Sequence, residues 1–365
     1  MMIKRKLILE DGYIFEGEGF GSERETSGEI IFNTAMTGYQ EIMTNPSYYG
    51  QLLVMTNPSI GNYGTNRDDF EAVSPYINGL ITNMHADHPS NFRMEETLHD
   101  FLKAHHIPGI SGIDTRMLTR HIRKNGIIKG IIVNQSASAE KAIEEMKNIP
   151  IPKDRVDKVS TKQAYRIPGR GLRIVMIDLG MKHGVLRELT NRNCQITVVP
   201  YFYQVDKIKR LKPNGIIITN GPGSPEDIPE TMKTIQELKD IPLFGIGLGH
   251  QLMALAFGAK VTEMAYGHHG NNYPVKDLNS DKSYMATQSH RYTVCQSSIE
   301  GTELEITHRS LNDQDIEGLK HMTYPAFSVQ FYPEGGPGPD DMTYLYDQFL
   351  NDIQQYQNRE ENIYA

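Results

Sequence analysis

The residues that most suggest chemistry in this sequence are three glycines spaced two apart, Gly245, Gly247 and Gly249, within the stretch 241–258. A short apolar run precedes them, and an Ala-, Leu- and Met-rich segment follows. This order predicts a strand, a sharp turn and a helix. Such a junction holds one residue at the tip of a strained turn, in front of helix-start amides that stabilise an anion. The tip normally carries a Cys or Ser nucleophile, but here it is Gly247, which has no side chain.

Two other kinds of site have weaker support. A dinucleotide-binding turn needs its third glycine at the position that His250 occupies, and that turn usually opens its domain. The adjacent pairs His105–His106 and His268–His269 point in different directions, and no cysteine or carboxylate set accompanies them in sequence. We predict surface or loop histidines there and no metal site. Cys194 and Cys295 lie outside the glycine turn and are predicted to pack as small apolar residues.

The elements around the turn predict a parallel sheet that helices cover on both faces. Apolar strand-like runs and helical patterns alternate at 173–178, 185–193, 195–200, 215–219 and 230–239. In such a doubly wound sheet, ligands bind beyond the carboxyl ends of the strands. We therefore predict an α/β fold, with this mostly parallel sheet in a C-terminal domain that spans residues 172–355.

The rest of the chain divides around this domain. Residues 1–147 combine strand-like runs, glycine turns and helical patterns, which predicts a mixed α/β N-terminal domain. Residues 148–171 carry three prolines, several charges and few large apolar residues, so we predict an interdomain linker. A final helix near 340–353 and a polar, frayed tail at 356–365 complete the prediction.

Composition excludes several classes of function. The chain has 365 residues and a net charge of -8, with 22% charged residues, which disfavours electrostatic binding to nucleic acid. No apolar run approaches the roughly 20 residues that span a bilayer, and the N-terminal apolar segment stops at Glu10, too early for a signal peptide. The two cysteines imply no disulfide framework. We predict a cytoplasmic protein that binds neither nucleic acid nor membrane.

Ordered blocks along nearly the whole chain resemble one enzyme family. The glycine turn and the preceding Asn-Gly-Pro-Gly loop at 220–223 resemble the nucleophile turn and oxyanion loop of class I glutamine amidotransferases, with the usual Cys replaced. The stretch 62–70 is most similar to the pyrimidine-pathway form of Gram-positive bacteria within the carbamoyl phosphate synthase small-subunit family. Further blocks that resemble this small subunit lie at 32–41, 45–48, 60–64, 112–116, 266–268 and 327–331.

This resemblance implies that two subunits catalyse different reactions. In the family, a cysteine on the turn attacks the glutamine side-chain amide, forms a thioester and releases ammonia. A large subunit combines that ammonia with bicarbonate, using ATP and Mg, and the N-terminal domain is expected to dock on it. The resemblance therefore implies a large-subunit partner, L-glutamine as a possible ligand and no cofactor in this chain.

The catalytic positions that the resemblance assigns are largely replaced. Gly247 holds the nucleophile position, Tyr332 holds the position of a histidine base, and Glu334 keeps the carboxylate that orients this base. A phenol is mostly protonated at neutral pH and makes a poor general base, so a tyrosine that packs in the histidine site is the favoured interpretation. We predict that the chain has lost its glutaminase activity.

The substrate-binding positions are partly kept. Ser289 is shorter than the asparagine usual there, and Arg291 replaces a glycine that lets the substrate backbone approach. We predict that Arg291 fills the pocket and pairs with Glu334. The positions that match glutamine-binding or oxyanion positions of the family, kept or changed, are Ser47, Gly221, Gly223, Leu248, Gln251, Ser289, Arg291 and Tyr292.

Three interpretations stay open at this point. The leading one is a small subunit of pyrimidine or arginine biosynthesis with a silent glutaminase, which still supports a large subunit that uses free ammonia. The alternative is a pseudoenzyme that binds glutamine, another effector or a partner as a regulatory module. The third is that Gly247 and Tyr332 arise from engineering or sequence error. Against a single error, Ser289 and Arg291 also depart from the family pattern in the same pocket.

Overall fold

The chain divides between Pro152 and Lys153 into two units, each with its own apolar core. The computed structural model describes residues 3–364, with side chains for residues 3–359. In the first unit the strands and helices are β1 (Ile3–Leu9), β2 (Ile14–Gly21), β3 (Thr26–Asn33), α1 (Tyr39–Thr44), β4 (Leu52–Met55), β5 (Ser59–Ile60), β6 (Gly79–Ile81), β7 (Met84–His85), α2 (Leu98–Ala104), β8 (Pro108–Ser111), α3 (Thr115–Asn125), β9 (Ile128–Asn134) and α4 (Ala139–Asn148). Strands β1-β2-β8-β6-β4-β3-β9 close into a barrel.

The second unit is built around one large sheet. Its strands and helices are α5 (Arg155–Val159), β10 (Tyr165–Ile167), β11 (Arg173–Asp178), α6 (His183–Asn191), β12 (Gln195–Pro200), α7 (Val205–Arg210), β13 (Gly215–Ile218), α8 (Pro229–Glu237), β14 (Leu243–Ile246), α9 (Leu248–Ala256), β15 (Val261–Asp277), β16 (Ser283–Val294), β17 (Leu304–Ser310), β18 (Ile316–His321), β19 (Ala326–Val329) and α10 (Tyr344–Tyr364). The strand order is β10-β12-β11-β13-β14-β19-β18-β16-β15-β17.

The sheet of the second unit has a parallel part and an antiparallel part. Strands β12, β11, β13, β14 and β19 pair in parallel. The pairings on both sides of them are antiparallel. The predicted α/β fold is confirmed, and the parallel sheet consists of these five strands. The chain from β15 to β18 supplies an antiparallel extension of this sheet.

Side chains along β11 alternate between two apolar cores, one on each face of the sheet. Ile174 and Met176 belong to the core that includes residues of α6 and α10. Val175 and Ile177 belong to the core that includes residues of α7, α8 and α9. Because successive residues of a strand point to opposite faces, a strand covered on both sides requires an uninterrupted apolar run. The doubly wound arrangement follows from that run.

The segment 148–171, predicted as a linker, contains regular structure. Helix α5 lies within it, with Val156 buried in a core of the second unit, and β10 pairs with β12 at the edge of the sheet. A short helix and a short edge strand need few large apolar residues, so the polar composition concealed them. The linker prediction is therefore wrong from residue 155 to residue 167.

Helix α10 continues beyond the predicted end at 353 and takes in residues 356–364 of the predicted tail. Leu345, Phe349 and Ile353 recur at four-residue spacing and are buried in the core, which anchors the helix. The polar residues after them are good helix formers, so the tail prediction is wrong there, and residue 365 lies outside the described range. Across residues 3–364, no helix is both long and apolar enough to cross a membrane.

Candidate active site

The turn after β14 places Gly247 in a backbone conformation that favours glycine. Its φ and ψ angles are 59° and -111°, in a region that residues with a side chain rarely adopt. Its N–H donates to the Val329 carbonyl at 2.9 Å, and helix α9 begins at the next residue, Leu248. Because the first N–H groups of a helix lack intrahelical acceptors, the Leu248 amide is of the kind that stabilises an oxyanion.

The three glycines of the turn are required for different reasons. A Cβ added at Gly245 would lie 2.5 Å from Met253 Sδ, and one at Gly249 would lie 2.2 Å from the Ile218 carbonyl oxygen. Both glycines therefore allow the helix to approach the sheet closely. At Gly247 the nearest atoms are Asn220 Cβ at 3.2 Å and Tyr332 Cε1 at 3.4 Å. This position has nearly enough room for a side chain, and backbone strain is what favours glycine.

Gly247→Cys is expected to lower the free energy of unfolding by about 1 kcal/mol, because an added Cβ strains a backbone with positive φ. Urea denaturation followed by circular dichroism measures this change. Gly301→Cys is the matched comparison and is expected to lose a similar amount, since Gly301 has a φ of 84° and no described atom lies within 4 Å of an added Cβ, which leaves backbone strain as the cause. A Gly247→Cys chain that is as stable as the wild type contradicts the strain account.

Tyr332 fills the space beside Gly247. Its side chain is buried, its hydroxyl donates to the Ser289 carbonyl at 3.1 Å, and its N–H donates to the Thr287 carbonyl at 2.9 Å. Because Tyr332 Cε1 lies 3.4 Å from the Cβ position of residue 247, the nucleophile and base positions adjoin, as the resemblance implies. A phenol that donates its proton to a carbonyl is not arranged to take a proton from a nucleophile.

Glu334 pairs with a buried lysine that the sequence analysis did not identify. Lys182 Nζ lies 3.2 Å from Glu334 Oε1, and the two side chains are 0% and 1% exposed. The ammonium also donates to the Gly335 carbonyl and lies 4.7 Å from the centre of the Tyr332 ring. The Tyr346 hydroxyl donates to Glu334 Oε2 at 3.0 Å, and burial together with this carboxylate raises the pKa of Tyr346 well above its usual value. A cation and a phenol thus hold the carboxylate.

Arg291 has a different partner from the predicted one. Its Nε donates to Glu263 Oε1 at 2.6 Å, and its guanidinium carbon lies 5.9 Å from the centre of the Tyr292 ring. Glu263 on β15 faces Tyr292 on β16, and Arg291 is the next residue along β16, at an irregularity of the pairing. The predicted pair between Arg291 and Glu334 is wrong, because Arg291 pairs with Glu263 and Glu334 pairs with Lys182.

The loop after β13 brings two of the predicted glycines to the turn. Asn220, its first residue, has its Cβ 3.2 Å from the Cβ position of residue 247. A Cβ at Gly221 would lie 2.3 Å from the Leu179 carbonyl oxygen, and Gly223 has a φ of 87°, so both positions favour glycine. The structure therefore places the predicted oxyanion loop next to the tip of the turn.

Gln251 links helix α9 to β16, the strand that carries Ser289, Arg291 and Tyr292. Its Nε2 donates to the Tyr292 carbonyl at 3.0 Å and to Gln330 Oε1 at 3.1 Å. Its Oε1 is buried and has no hydrogen-bond partner in the part of the chain that the structure describes. Ser289, on the same strand as Tyr292, accepts the Tyr332 hydroxyl through its carbonyl. Gln251, Ser289 and Tyr292 thus gather around α9 and Tyr332.

Ser47 lies in the first unit. It belongs to a 3₁₀ turn, Pro46–Tyr48, where the Asn45 side chain accepts the Ser47 N–H at 3.0 Å. Its assignment to glutamine binding stays a prediction that the resemblance implies.

The two cysteines differ in their surroundings. Cys194 is buried in the core, and burial raises the pKa of its thiol to about 11, which keeps it protonated and unreactive at neutral pH. Cys295 is partly exposed, and a hydrogen bond with Ser297, at 3.2 Å between Sγ and Oγ, lowers the pKa of its thiol. The packing prediction is confirmed for Cys194 and wrong for Cys295.

The two histidine pairs also differ. His105 and His106 are exposed, as predicted, but His268 and His269 are each only 4% exposed, so the surface prediction is wrong for them. Both lie on β15 inside the antiparallel extension, which the sequence did not reveal. Carboxylates from distant parts of the chain approach them. Among the residues whose side chains the structure describes, two groups could hold a metal ion: His268, His290 and Glu317, and His268, Asp313 and Asp315.

The site consists of a strand–turn–helix junction, an adjoining glycine loop, and a carboxylate just beyond the last parallel strand. Together with the doubly wound sheet, these features define a class I glutamine amidotransferase unit, and residues 175–352 match the family described as "Glutamine amidotransferase class-I". Residues 7–132 match "Carbamoyl-phosphate synthase small chain, CPSase domain". The chain belongs to the carbamoyl phosphate synthase small chains, which confirms the predicted family.

Similar proteins match along almost the full length. The chain is 55% identical over 351 residues to the carbamoyl phosphate synthase small chain of Oceanobacillus iheyensis, with 96% of each chain covered. It is 50% identical to the carbamoyl phosphate synthase pyrimidine-specific small chain of Halalkalibacterium halodurans, covering 98% of this chain and 99% of that one. It is also 50% identical to the pyrimidine-specific small chain of Bacillus subtilis, with 96% of each covered.

Proposed function

We propose that this chain is the small chain of a cytoplasmic carbamoyl phosphate synthase of pyrimidine biosynthesis whose own glutaminase is silent. Membership of the family supports a large-subunit partner, and that subunit carries the ATP, Mg and bicarbonate sites. The first unit docks on it, and the ammonia comes from solution instead of from glutamine. The pyrimidine-specific names of two relatives support this pathway over arginine biosynthesis.

The observation that carries the proposal is the pairing of Gly247 with Tyr332. Thioester formation needs a thiolate at the turn and a base that takes its proton. Gly247 supplies no side-chain atom, and Tyr332 occupies the base position with its own proton donated to the Ser289 carbonyl. The strand–turn–helix backbone at Gly247 is present. The proposed loss of glutaminase activity therefore results from missing side-chain groups and not from a change of fold.

Co-purification with a large subunit, followed by two assays of carbamoyl phosphate formation, tests the proposal. With ammonia the complex is expected to turn over. With glutamine as the nitrogen source the rate is expected to be at least about 10³-fold lower, because losing a nucleophile or its base costs orders of magnitude. A third assay with both nitrogen sources shows whether glutamine inhibits. Comparable turnover with glutamine alone overturns the silent glutaminase, and failure to co-purify overturns the docking role.

Gln251 supports a second candidate function, the binding of glutamine or another effector without hydrolysis. Its Nε2 is held by two acceptors, whereas its buried Oε1 finds no partner among the described residues. A buried acceptor of this kind usually has a hydrogen-bond donor, and the ammonium or amide of a ligand supplies one. Titration calorimetry with L-glutamine tests this candidate, with Gln251→Met as control. Heat of binding in the wild type alone supports a regulatory module, and no heat in either chain contradicts it.

A further inference from the structure

Polar side chains from three antiparallel strands converge inside the second unit. His268 lies on β15, Gln288 and His290 lie on β16, and Glu317 lies on β18. All four residues are buried. The ligand atoms of His268, His290 and Glu317 all lie within 4.8 Å of one another. The chemistry proposed for the turn at Gly247 uses none of these side chains.

Hydrogen bonds indicate which ring nitrogens face the centre of this cluster. His268 Nε2 lies 2.7 Å from Asp313 Oδ2, which is an acceptor, so this nitrogen is the donor of that hydrogen bond. His290 Nδ1 lies 2.9 Å from the Tyr292 carbonyl oxygen and carries the proton for the same reason. The other nitrogens, His268 Nδ1 and His290 Nε2, lie 2.9 Å and 3.2 Å from Gln288 Oε1. In the tautomers with the proton on His268 Nε2 and on His290 Nδ1, three lone pairs therefore meet in one place.

Glu317 adds a carboxylate to these lone pairs. The residue is fully buried, neither of its oxygens makes a hydrogen bond of ordinary length and angle within the described chain, and the Gln288 side chain is a polar group close enough to stabilise its charge. Its Oε1 lies 4.0 Å from His268 Nδ1. Burying an ionised carboxylate without a charged partner is unfavourable, and the neighbouring lone pairs repel it further. A cation at the centre of the cluster removes this imbalance.

We propose that this cluster binds a structural divalent metal ion of the Zn²⁺ type through His268 Nδ1, His290 Nε2 and Glu317, with Gln288 Oε1 as the fourth ligand. Zn²⁺ takes imidazole nitrogens and carboxylate oxygens as ligands in proteins, as well as thiolates, and prefers tetrahedral coordination. Zn²⁺–ligand bonds of about 2.0–2.2 Å hold ligand atoms roughly 3–4 Å apart. The ligand atoms of His268, His290 and Glu317, which lie within 4.8 Å of one another, therefore have to approach by up to about 1.5 Å.

The surroundings of the two histidines match those of metal ligands. A metal-bound histidine typically donates its other ring N–H to a carboxylate or a backbone carbonyl, which orients the ring. Asp313 accepts this hydrogen bond from His268, and the Tyr292 carbonyl accepts it from His290. The second possible group, which includes Asp313 as a ligand, is less buried. Asp313 therefore acts as an orienting residue, and the ion joins β15, β16 and β18.

In the competing arrangement, a proton on Glu317 takes the place of the metal ion. With Glu317 protonated and the Gln288 amide turned so that its nitrogen faces the two rings, each buried group finds a partner without a metal. The two arrangements differ in metal content, in spectroscopy and in the effect of a neutral residue at position 317.

Metal analysis of the full chain tests the proposal directly. After treatment with a chelator, reloading with Zn²⁺ and dialysis, the chain is expected to retain about one equivalent by mass spectrometry of the metal. Loading with Co²⁺ is expected to give the visible absorption of a four-coordinate site, and removing the metal is expected to lower the melting temperature. Retention below about 0.1 equivalent of Zn²⁺, without Co²⁺ absorption, overturns the proposal.

Substitutions identify the ligands. Glu317→Gln is expected to weaken Zn²⁺ binding more than about 100-fold, and Asp313→Asn by about 10–100-fold, because orienting residues contribute that much to affinity. Glu305→Gln, an exposed glutamate on β17, is the matched control and is expected to change nothing. Unchanged affinity in Glu317→Gln overturns the ligand set. If the wild type binds no Zn²⁺ and Glu317→Gln is the more stable chain, the proton arrangement is the correct one. If Glu317→Gln fails to fold, two other measurements test the site. Unchanged Zn²⁺ affinity in Asp313→Asn, together with no four-coordinate Co²⁺ absorption in the wild type, overturns the proposal.

Discussion

A chain that carries both Gly247→Cys and Tyr332→His is expected to release glutamate from glutamine, whereas each single variant stays at the background rate. The thiol needs a base to become a thiolate, and a positioned imidazole contributes about 10²–10⁴-fold. Residues that act as a unit give strongly non-additive effects, so the gain comes only with the pair. The distance of 3.4 Å between the added Cβ position and Tyr332 Cε1 brings the two side chains within reach of each other.

Glutamate release from the purified chain measures this gain, and Gly301→Cys combined with Tyr332→His is the matched control. The control has the same two new side chains, but its cysteine lies on an exposed turn. If Gly247→Cys alone hydrolyses glutamine as fast as the double variant, Tyr332 does not prevent catalysis and the need for a histidine at this position is contradicted. A double variant that folds and stays at background shows that Ser289 or Arg291 prevents catalysis, and that the two catalytic losses do not explain the silence.

Lys182→Met is expected to lower the free energy of unfolding by about 3–5 kcal/mol, because it leaves a carboxylate buried without its cation. Glu334 is 1% exposed at its side chain and lies 3.2 Å from Lys182 Nζ. Tyr346 donates one hydrogen bond to it, and a single neutral donor does not replace an ammonium. The loss is therefore larger than that of an ordinary surface contact.

Urea unfolding followed by circular dichroism measures the Lys182 effect, with Lys276→Met as the matched control. Lys276 and Asp281 form an ion pair of 2.7 Å on the surface, and such exposed pairs contribute about 0–1 kcal/mol. Adding Glu334→Gln to Lys182→Met is expected to recover most of the stability, because the buried charge is gone. Equal effects of the two lysine substitutions show that the Lys182–Glu334 pair is not the reason for the loss.

The turn, the parallel strands and the family were predictable because each depends on local pattern. The glycine spacing at 245–249 fixes a sharp turn with close helix packing, and both contacts appear as clashes of less than about 3 Å for an added Cβ. Continuous apolar runs such as 173–178 specify strands covered on both faces. The segment 155–167 was missed because a short helix and an edge strand carry little apolar signal.

The side chains that complete the site were not predictable, because their partners lie far along the chain. Lys182 follows a strand at the carboxyl edge of the sheet, where functional groups gather, but only the fold shows that it reaches Glu334. The sequence predicts a pair between Arg291 and Glu334 because Arg291 is a cation that replaces a glycine among the substrate-binding positions. The fold instead brings its side chain to Glu263, the partner of the adjacent Tyr292 on the neighbouring strand. His268 and Glu317 meet through the same antiparallel extension.

The hydrogen bond between the Tyr332 hydroxyl and the Ser289 carbonyl constrains how this lineage can evolve. Tyr332→His alone removes a donor from a buried carbonyl, at a cost of about 1–3 kcal/mol, and Gly247→Cys alone strains the turn. If the proposed silent glutaminase is correct, each single substitution is expected to lower stability without bringing hydrolysis. The gain of ammonia release would then require both substitutions together.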